Sequence, residues 1–502
     1  MEKVSHSETI AAISTPPGRG GIGIVRLSGP EATSITAQLV RLQGEMQHAR
    51  ARLADVLDAV LDAEDGESRI DEALVTMFAA PNSYTGEDLV EIAAHGSPVV
   101  LDLLLRRALE LGARLAEPGE FTQRAFLSGR IDLTQAEAVR DLIEAQTLSQ
   151  ARLAASQMGG ALSARVMPTK MALLELIALL EAGIDFAEDD LAVAPNSEIL
   201  RRIAEIRPPL VALEKTFGHG RILHDGLTMA LVGRPNAGKS SVFNALLERD
   251  RAIVTATPGT TRDTVTERIA LGGIPLELVD TAGLREATDE AERLGIARSR
   301  EALADAAIVL IVIDGAAISD SGTIPDEDQR LLEAVEGRAA LVAWNKSDLV
   351  SGQVSDTEFR SGTHETDIAT RATPIAQCRE GIAQSPSSIA HPTAAIAQRL
   401  PVIATSAVTG AGIAELREAI LKLATGGAAA EPGMLTSLRH HQSITAALQG
   451  LADAERAAEE AIPHEMILLD LYRTLWALDS LTGQTTPDDV LNLIFSSFCI
   501  GK

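Results

Sequence analysis

Aromatic side chains make up only 3% of this 502-residue sequence, so its cores must be built from aliphatic residues. Cysteine is scarcer still: Cys378 and Cys499 are the only two, in dissimilar segments without metal-ligand spacing. That excludes a disulfide framework and a zinc cluster, and points to a reducing compartment. No apolar run approaches the ~20 residues that cross a bilayer. Met1 is followed by Glu2, Lys3, Val4, Ser5, His6 and Ser7, not by the basic head and apolar core of a signal peptide. A soluble, cytoplasmic protein without membrane contact is expected. Basic charge is also lacking. With 44 Lys+Arg against 70 Asp+Glu the net charge is −26, which argues against a broad electrostatic grip on nucleic acid, so any such partner needs a local patch or a helper protein. The short stretch Arg439-His440-His441 reads as a solvated helix face rather than as that patch.

What the sequence does have is length for roughly three domains and 46% hydrophobic residues to fill them. Its anchor is Gly233-Arg234-Pro235-Asn236-Ala237-Gly238-Lys239-Ser240, which satisfies G-x-x-x-x-G-K-[ST]. The apolar run Thr228 to Val232 predicts a buried strand before it, and Ser241 to Glu248 predicts a helix after it, the strand-loop-helix context such a loop needs. Backbone N–H groups of Asn236, Ala237, Gly238, Lys239, Ser240 and Ser241 are expected to close around phosphate oxygens. Lys239 is expected to reach the β/γ-phosphates and the Ser240 hydroxyl to ligate magnesium.

Four further segments complete the nucleotide site and identify its base. Asn345-Lys346-Ser347-Asp348 follows the apolar strand 340–344, and a carboxylate there accepts from both the ring N–H and the exocyclic amine of guanine, donors that adenine does not offer in that place. Unpaired buried acceptors cost roughly 1–3 kcal/mol each, enough together to exclude ATP. Asp280-Thr281-Ala282-Gly283 ends the strand 274–279 and puts a carboxylate near the magnesium shell and an N–H near the γ-phosphate. Between the phosphate loop and Asp280, Gly259-Thr260-Thr261-Arg262-Asp263 supplies the Thr261 hydroxyl to magnesium. Thr405-Ser406-Ala407, after the strand 402–404, backs the base with Ser406 and Ala407. Leu284 stands where Ras-like enzymes carry the water-orienting glutamine, so another residue must take that role.

Beyond these motifs the chain carries Thr15-Pro16-Pro17-Gly18-Arg19-Gly20-Gly21-Ile22-Gly23, Pro81-Asn82-Ser83-Tyr84-Thr85-Gly86-Glu87-Asp88, Pro118-Gly119-Glu120-Phe121-Thr122 and Phe498-Cys499-Ile500-Gly501-Lys502. With them it resembles, end to end, the bacterial tRNA-modification GTPase family MnmE, also called TrmE. The resemblance implies a multidomain α/β plus α fold: an N-terminal α/β folate-binding and dimerising domain at 1–125, a discontinuous helical domain at 126–222 and 426–502, and an inserted Ras-like P-loop GTPase domain at 223–425. It implies a homodimer that joins an MnmG-like flavoprotein in a heterotetramer or larger complex. Together they install a carboxymethylaminomethyl-type group on the wobble uridine of certain tRNAs, with a one-carbon unit from 5-formyl-tetrahydrofolate or a related tetrahydrofolate. It also implies GTP hydrolysis stimulated by potassium, held by Asn236 with Thr255, Thr257 and Thr260, and water oriented by Glu292. From the residues alone Glu292 reads equally as a solvated acid of a helix start. The family's folate contacts fall on Arg26, Glu91, Arg130 and Lys502, each of which also has a plain reading as a surface or chain-end residue. Relatives often carry lysine at the position of Arg130. Cys499 divides evenly between a role in the reaction and simple packing, and the resemblance favours the role. A rival class, an Era-like switch GTPase of ribosome assembly, should carry a basic RNA-binding module that neither 1–125 nor 499–502 provides.

Along the chain, Gly18 to Gly23 satisfies G-x-G-x-x-G but runs into the β-branched segment 24–27, so it opens a strand and is no dinucleotide fingerprint. Residues 88–92 predict a second strand, His95 a structural loop position, and Ser97-Pro98 the cap of a helix over 99–111. Thr134-Gln135-Ala136-Glu137 predicts a capping box. Residues 171–180, apolar round most of the circumference, predict a central bundle helix. Pro208-Pro209 predicts a kink or end. Residues 350–399, rich in Ser, Thr, Ala, Gln and Pro, predict a disordered insertion. Helices are expected at 435–460 and 465–481, with a last one from Pro487.

Overall fold

The computed structural model describes residues 8–57, 69–185, 195–247, 266–280, 306–321, 323–350, 396, 400–427, 431–484, 494–495 and 498–501. The chain divides into two units: Met1–Ile143, Ala154–Val211 and Gln442–Lys502 form the first, and Glu144–Leu153 with Ala212–His441 the second.

The first unit contains a seven-stranded sheet of β1 (Ile10–Ile13), β2 (Gly20–Ser28), β3 (Val40–Leu42), β4 (Ala51–Leu57), β5 (Arg69–Phe78), β6 (Leu89–Gly96) and β7 (Arg114–Leu115), in the order β3-β4-β5-β6-β2-β1-β7. Alternation with period two decides its faces. Val25 and Leu27 of β2, with Val90, Ile92 and Ala94 of β6, face a core closed by Leu101, Leu104 and Ala108 of helix Pro98–Glu110 and by Ile35 and Leu39 of helix Ala32–Leu39. Arg26 and Glu91, one residue out of phase, stand opposite each other in the β2–β6 register on the other face. Gly20 to Gly23 lie in β2, as their β-branched continuation demands.

Several expectations need correction here. Ser97 is the residue before helix Pro98–Glu110, but its hydroxyl makes no capping bond. His95 is not in a loop: it lies in β6 and its Nδ1 is 2.6 Å from Asp71 Oδ1. The capping box of helix Leu133–Glu144 is Asp132 with Gln135, not Thr134 with Glu137. Asp132 Oδ1 accepts from the Gln135 N–H at 3.0 Å while Gln135 Oε1 accepts from the Asp132 N–H at 2.9 Å. Helix Ala161–Asp185 is buried along one stripe, including Leu162, Val166, Leu173, Leu176, Ile177 and Leu180, and leaves Met167 and Met171 exposed. It packs on helix His464–Thr482, where Lys170 and Asp479 form a buried ion pair at 2.6 Å. Helix Asn196–Glu214 runs through Pro208 and Pro209, so of the expected kink or end the end is excluded. Helix Leu438–Glu459 starts with His440 buried, so the stretch 439–441 is not a wholly solvated face. Residues 487–493, where the last helix is expected to start, fall outside the described residues, as does all but Val350 and Ile396 of the expected insertion.

The second unit is a six-stranded sheet of β8 (Leu227–Val232), β9 (Thr266–Leu271), β10 (Ile274–Asp280), β11 (Ile308–Asp314), β12 (Ala340–Asn345) and β13 (Val402–Ala404), ordered β13-β12-β11-β8-β10-β9. Every neighbouring pair is parallel except the β9–β10 hairpin. Parallel strands covered on both faces read as unbroken apolar runs, and β11 and β12 do. One face packs on Val242, Phe243 and Leu246 of helix Lys239–Leu247 and on Leu416 and Ile420 of helix Ile413–Thr425; the other packs on Leu332 of helix Asp326–Ala334. The Lys239–Leu247 helix starts at the carboxyl end of β8, where open parallel sheets place their ligands. Among the described residues no helix is long and apolar enough to cross a membrane.

Candidate nucleotide site

The phosphate loop leaves β8 at Gly233, whose φ of 155° and close approach to the Val312 carbonyl leave no room for a Cβ. Asn236 follows at φ 65° and Gly238 at φ 92°, the left-handed turns that curl the backbone before the helix begins at Lys239. Lys239 is nearly buried, and its ammonium donates to the carbonyls of Gly233 at 2.7 Å and Arg234 at 2.9 Å, so the cation is held over the loop by the loop's own backbone. Ser240 and Ser241 are exposed in the first helical turn, beside the positive end of the helix dipole.

The base-reading segment leaves β12 two strands away. Asn345 is buried and does not face outward: its Nδ2 donates to the Ala237 carbonyl at 2.9 Å, and its Oδ1 accepts from the Ala407 N–H at 3.3 Å. One amide thus joins the phosphate loop, the β12 end and the β13 end. Lys346 takes φ 62°, the turn that starts the 3-10 helix Ser347–Leu349, and its ammonium meets Asp314 Oδ2 at 2.7 Å. Asp348 is exposed on that 3-10 turn. The Ser347 N–H donates to the Thr405 carbonyl at 3.1 Å and the Ser406 N–H to the Ala411 carbonyl at 2.9 Å, which ties the segment Thr405-Ser406-Ala407 alongside.

Two acids behind the motifs carry the local electrostatics. Burial pushes against ionisation of Asp314, but the Lys346 hydrogen bond and the N–H groups of Ala317 and Ala316 outweigh it and hold the carboxyl below its ordinary value. Asp328, fully buried in the first turn of helix Asp326–Ala334, goes the other way. Burial raises it against the opposing Arg234 guanidinium, and the charges of Glu327 and Asp314 add to the rise. Sequence reasoning missed both acids. Neither sits in a motif, and their partners lie 32 and 94 residues away.

Asp280 ends β10 in register with Leu231 of β8, next to the phosphate loop. Thr255, Thr257, Thr260, Thr261, Thr281, Ala282, Gly283, Glu292 and Lys502 lie outside the described residues.

In the first unit, Glu91 Oε1 takes both Arg26 Nε at 3.0 Å and Nη2 at 2.7 Å, and the guanidinium lies 5.9 Å from the Tyr84 ring and 5.5 Å from Phe121. Arg26 Nη1 also reaches the Gly501 carbonyl at 3.3 Å, as does the Ser14 hydroxyl at 3.0 Å. Ile500 bridges to Pro118, and the Gly119 N–H donates to the Cys499 carbonyl at 3.4 Å. Two of the four residues that resemblance assigns to folate therefore stand together, beside the backbone that leads to Lys502. Arg130 is exposed after helix Glu120–Leu127, and Cys499 carries an exposed free thiol.

Two family descriptions cover most of the sequence: the GTP-binding protein TrmE N-terminus matches residues 9–130 and the MnmE helical domain residues 133–499. The tRNA modification GTPase MnmE of Koribacter versatilis is 52% identical over 499 residues, 99% of each chain. Its namesake from Moorella thermoacetica is 39% identical over 507 residues, again 99% of each chain. Among solved structures, the G domain of the T. maritima FeoB iron transporter is 25% identical over 39% of this chain and 98% of its own, at a TM-score of 0.25, too low to argue from. A full-length match at this identity, on a chain whose Asn345 amide ties the G-x-x-x-x-G-K-[ST] loop to the Asn345-to-Asp348 segment at the carboxyl ends of β8 and β12, places it in the MnmE family of tRNA modification GTPases.

Proposed function

We propose that this chain is a potassium-stimulated GTP hydrolase of tRNA wobble-uridine modification, of the carboxymethylaminomethyl type. It acts as a homodimer with an MnmG-like flavoprotein and a tetrahydrofolate one-carbon donor. The observation that carries the nucleotide part is the Asn345 amide on the Ala237 carbonyl, which fixes a guanine-reading loop against a phosphate loop. The tRNA part rests on the name of the full-length relatives. In this reading 223–425 is the GTPase domain, 126–222 and 426–502 the helical domain, and 1–125 the folate-binding and dimerising domain.

Each residue has a role. Backbone N–H groups of Asn236 to Ser241 bind the phosphates, Lys239 stabilises charge at the β/γ-phosphates, and Asp348 accepts from guanine between Lys346 and the Ser406-Ala407 backbone. Magnesium takes the Ser240 and Thr261 hydroxyls, with Asp280 in its outer shell. The exposed Ser240 at a helix start suits that ion. Potassium takes Asn236 with Thr255, Thr257 and Thr260, and Glu292 orients water. Folate fits the donor set of the first unit. The Arg26 fork and Lys502 suit its anionic tail, Glu91 suits the pterin donors, and Tyr84 and Phe121 offer aromatic faces beside the same guanidinium.

The test has two arms. Purified protein should hydrolyse GTP faster in potassium than in sodium, and tRNA from cells lacking the protein should lose the modified wobble uridine by nucleoside mass spectrometry. An unchanged nucleoside profile overturns the tRNA assignment; absent GTP hydrolysis overturns the enzymatic one.

A further inference from the structure

The nucleotide motifs do not account for Arg234, which occupies an unspecified (x) position of the phosphate-loop pattern, or for the buried carboxylate it meets. Arg234 Nε donates to Asp328 Oδ2 at 2.8 Å, and Asp328 has 0% exposure. A fully buried carboxylate is costly unless paired, so the position is held for its partner. Among the described residues Asp328 Oδ1 has no hydrogen-bond partner, so the guanidinium is the contact that compensates the charge. The backbone of the same arginine is what matters for the nucleotide: the Arg234 carbonyl accepts from Lys239 Nζ at 2.9 Å and from the Ala237 N–H at 3.3 Å. The other carbonyl under Lys239 belongs to Gly233, held by its close approach to Val312 of β11. One wall of the lysine cradle is thus fixed by a strand. The other is tied within the loop by the Ala237 N–H and, through the Arg234 side chain, to a helix nearly a hundred residues later in sequence.

We propose that Asp328 is a positioning residue of the phosphate loop: by clamping the Arg234 side chain it sets the Arg234 carbonyl, and through it the placement of Lys239 and the loop N–H groups for the β-phosphate of a guanine nucleotide. The inference rests on the reading of this loop as a nucleotide site and extends it to a residue outside every motif. Breaking the clamp frees a loop that must be pre-shaped to bind, so the loss appears in affinity for the phosphates and leaves the base contacts alone.

The experiment uses the full chain and GDP as probe, with Asp328→Asn, Arg234→Gln and the double variant. Calorimetry is run with GDP and with XDP, and unfolding is followed without nucleotide. Each single change is expected to weaken GDP binding roughly tenfold. The double variant should lose no more than the worse single one, because both cut the same link. The preference for GDP over XDP should be unchanged. Arg234→Gln leaves the buried Asp328 carboxylate without its guanidinium and is expected to lower nucleotide-free stability, which the double variant, having no charge there, should recover without recovering GDP affinity. Wild-type affinity in both single variants, losses that multiply in the double variant, or a double variant whose GDP affinity recovers together with its nucleotide-free stability would each overturn the proposal. Failure of the wild-type chain to bind GDP would remove the nucleotide site and the inference with it.

Discussion

Asn345 and Ala237 are 108 residues apart in sequence and joined by a 2.9 Å bond between the buried side-chain amide and the loop carbonyl. The same amide leaves no space beside it. A Cβ placed on Gly238 would run into Asn345 Nδ2, and the φ of 92° there is strained for any side chain.

Gly238→Ala is therefore expected to displace Asn345 and to deform the loop together. Positive φ alone costs about 1–2 kcal/mol for an L-residue, and an unpaired buried amide about 1–3 kcal/mol more. GDP affinity should fall by roughly a hundredfold or more, with secondary structure by circular dichroism unchanged. Near wild-type affinity would mean that the two loops are not rigidly joined.

Asp348→Asn should exchange a guanine preference for a xanthine preference, since the amide presents a donor where the carboxylate accepted. The exposed position of Asp348 on its 3-10 turn makes the change tolerable to folding. Binding of GDP and XDP by the variant decides it, and unchanged GDP affinity removes Asp348 from the base site.

Much of this site is legible in the sequence because it is local. A phosphate loop is eight consecutive residues, and a strand buried on both faces announces itself as a run such as Ile308 to Ile313. What escapes is pairing between equals. Asp132 with Gln135 and Thr134 with Glu137 both have the spacing of a capping box, and only the backbone phase of helix Leu133–Glu144 selects the former. Pro208 and Pro209 look like an end because local sterics say so, yet the helix flanking them contributes Ile203, Ile206, Leu210 and Leu213 to buried positions, and packing of that stripe overrides the local preference. Arg26 and Glu91 alternate correctly on their strands, but their cross-strand pairing depends on the β2–β6 register, which no local pattern encodes.

Asn236→Ala is expected to erase a potassium-over-sodium advantage in GTP hydrolysis. An arginine finger supplies about 10³–10⁵ in rate, so a cation in its place should be plain in steady-state assays. Equal rates of the wild-type protein in the two salts would remove potassium from the mechanism.

Glu120 gives the acid response of the first unit. Burial raises its carboxyl, but Arg114, the Glu117 N–H and Arg124 outweigh burial and hold it below its ordinary value of 4.5. The sign follows. A depressed folded-state pKa contributes stability that is fully present above pH 4.5 and is lost as the pH falls through the lower folded value. Glu120→Gln should cost about 1–3 kcal/mol at neutral pH and shrink the loss of stability below pH 4.5, as read by urea unfolding across that range. An acid limb identical to wild type would assign it to other carboxylates.

The docking of residues 499–501 onto Ser14, Arg26, Pro118 and Gly119 sets an order of events during synthesis. Ser14 and Gly501 are 487 residues apart. At the usual ≈5–20 residues per second, a ribosome needs roughly 25–100 s between the two, long enough for the Arg26 strand to pair with β6 and the sheet to close first. The Gly501 carbonyl then arrives as a late insertion against a surface already folded. Until it does, the Arg26–Glu91 ion pair stands in the nascent N-terminal sheet without the Gly501 carbonyl that Arg26 Nη1 meets in the finished fold.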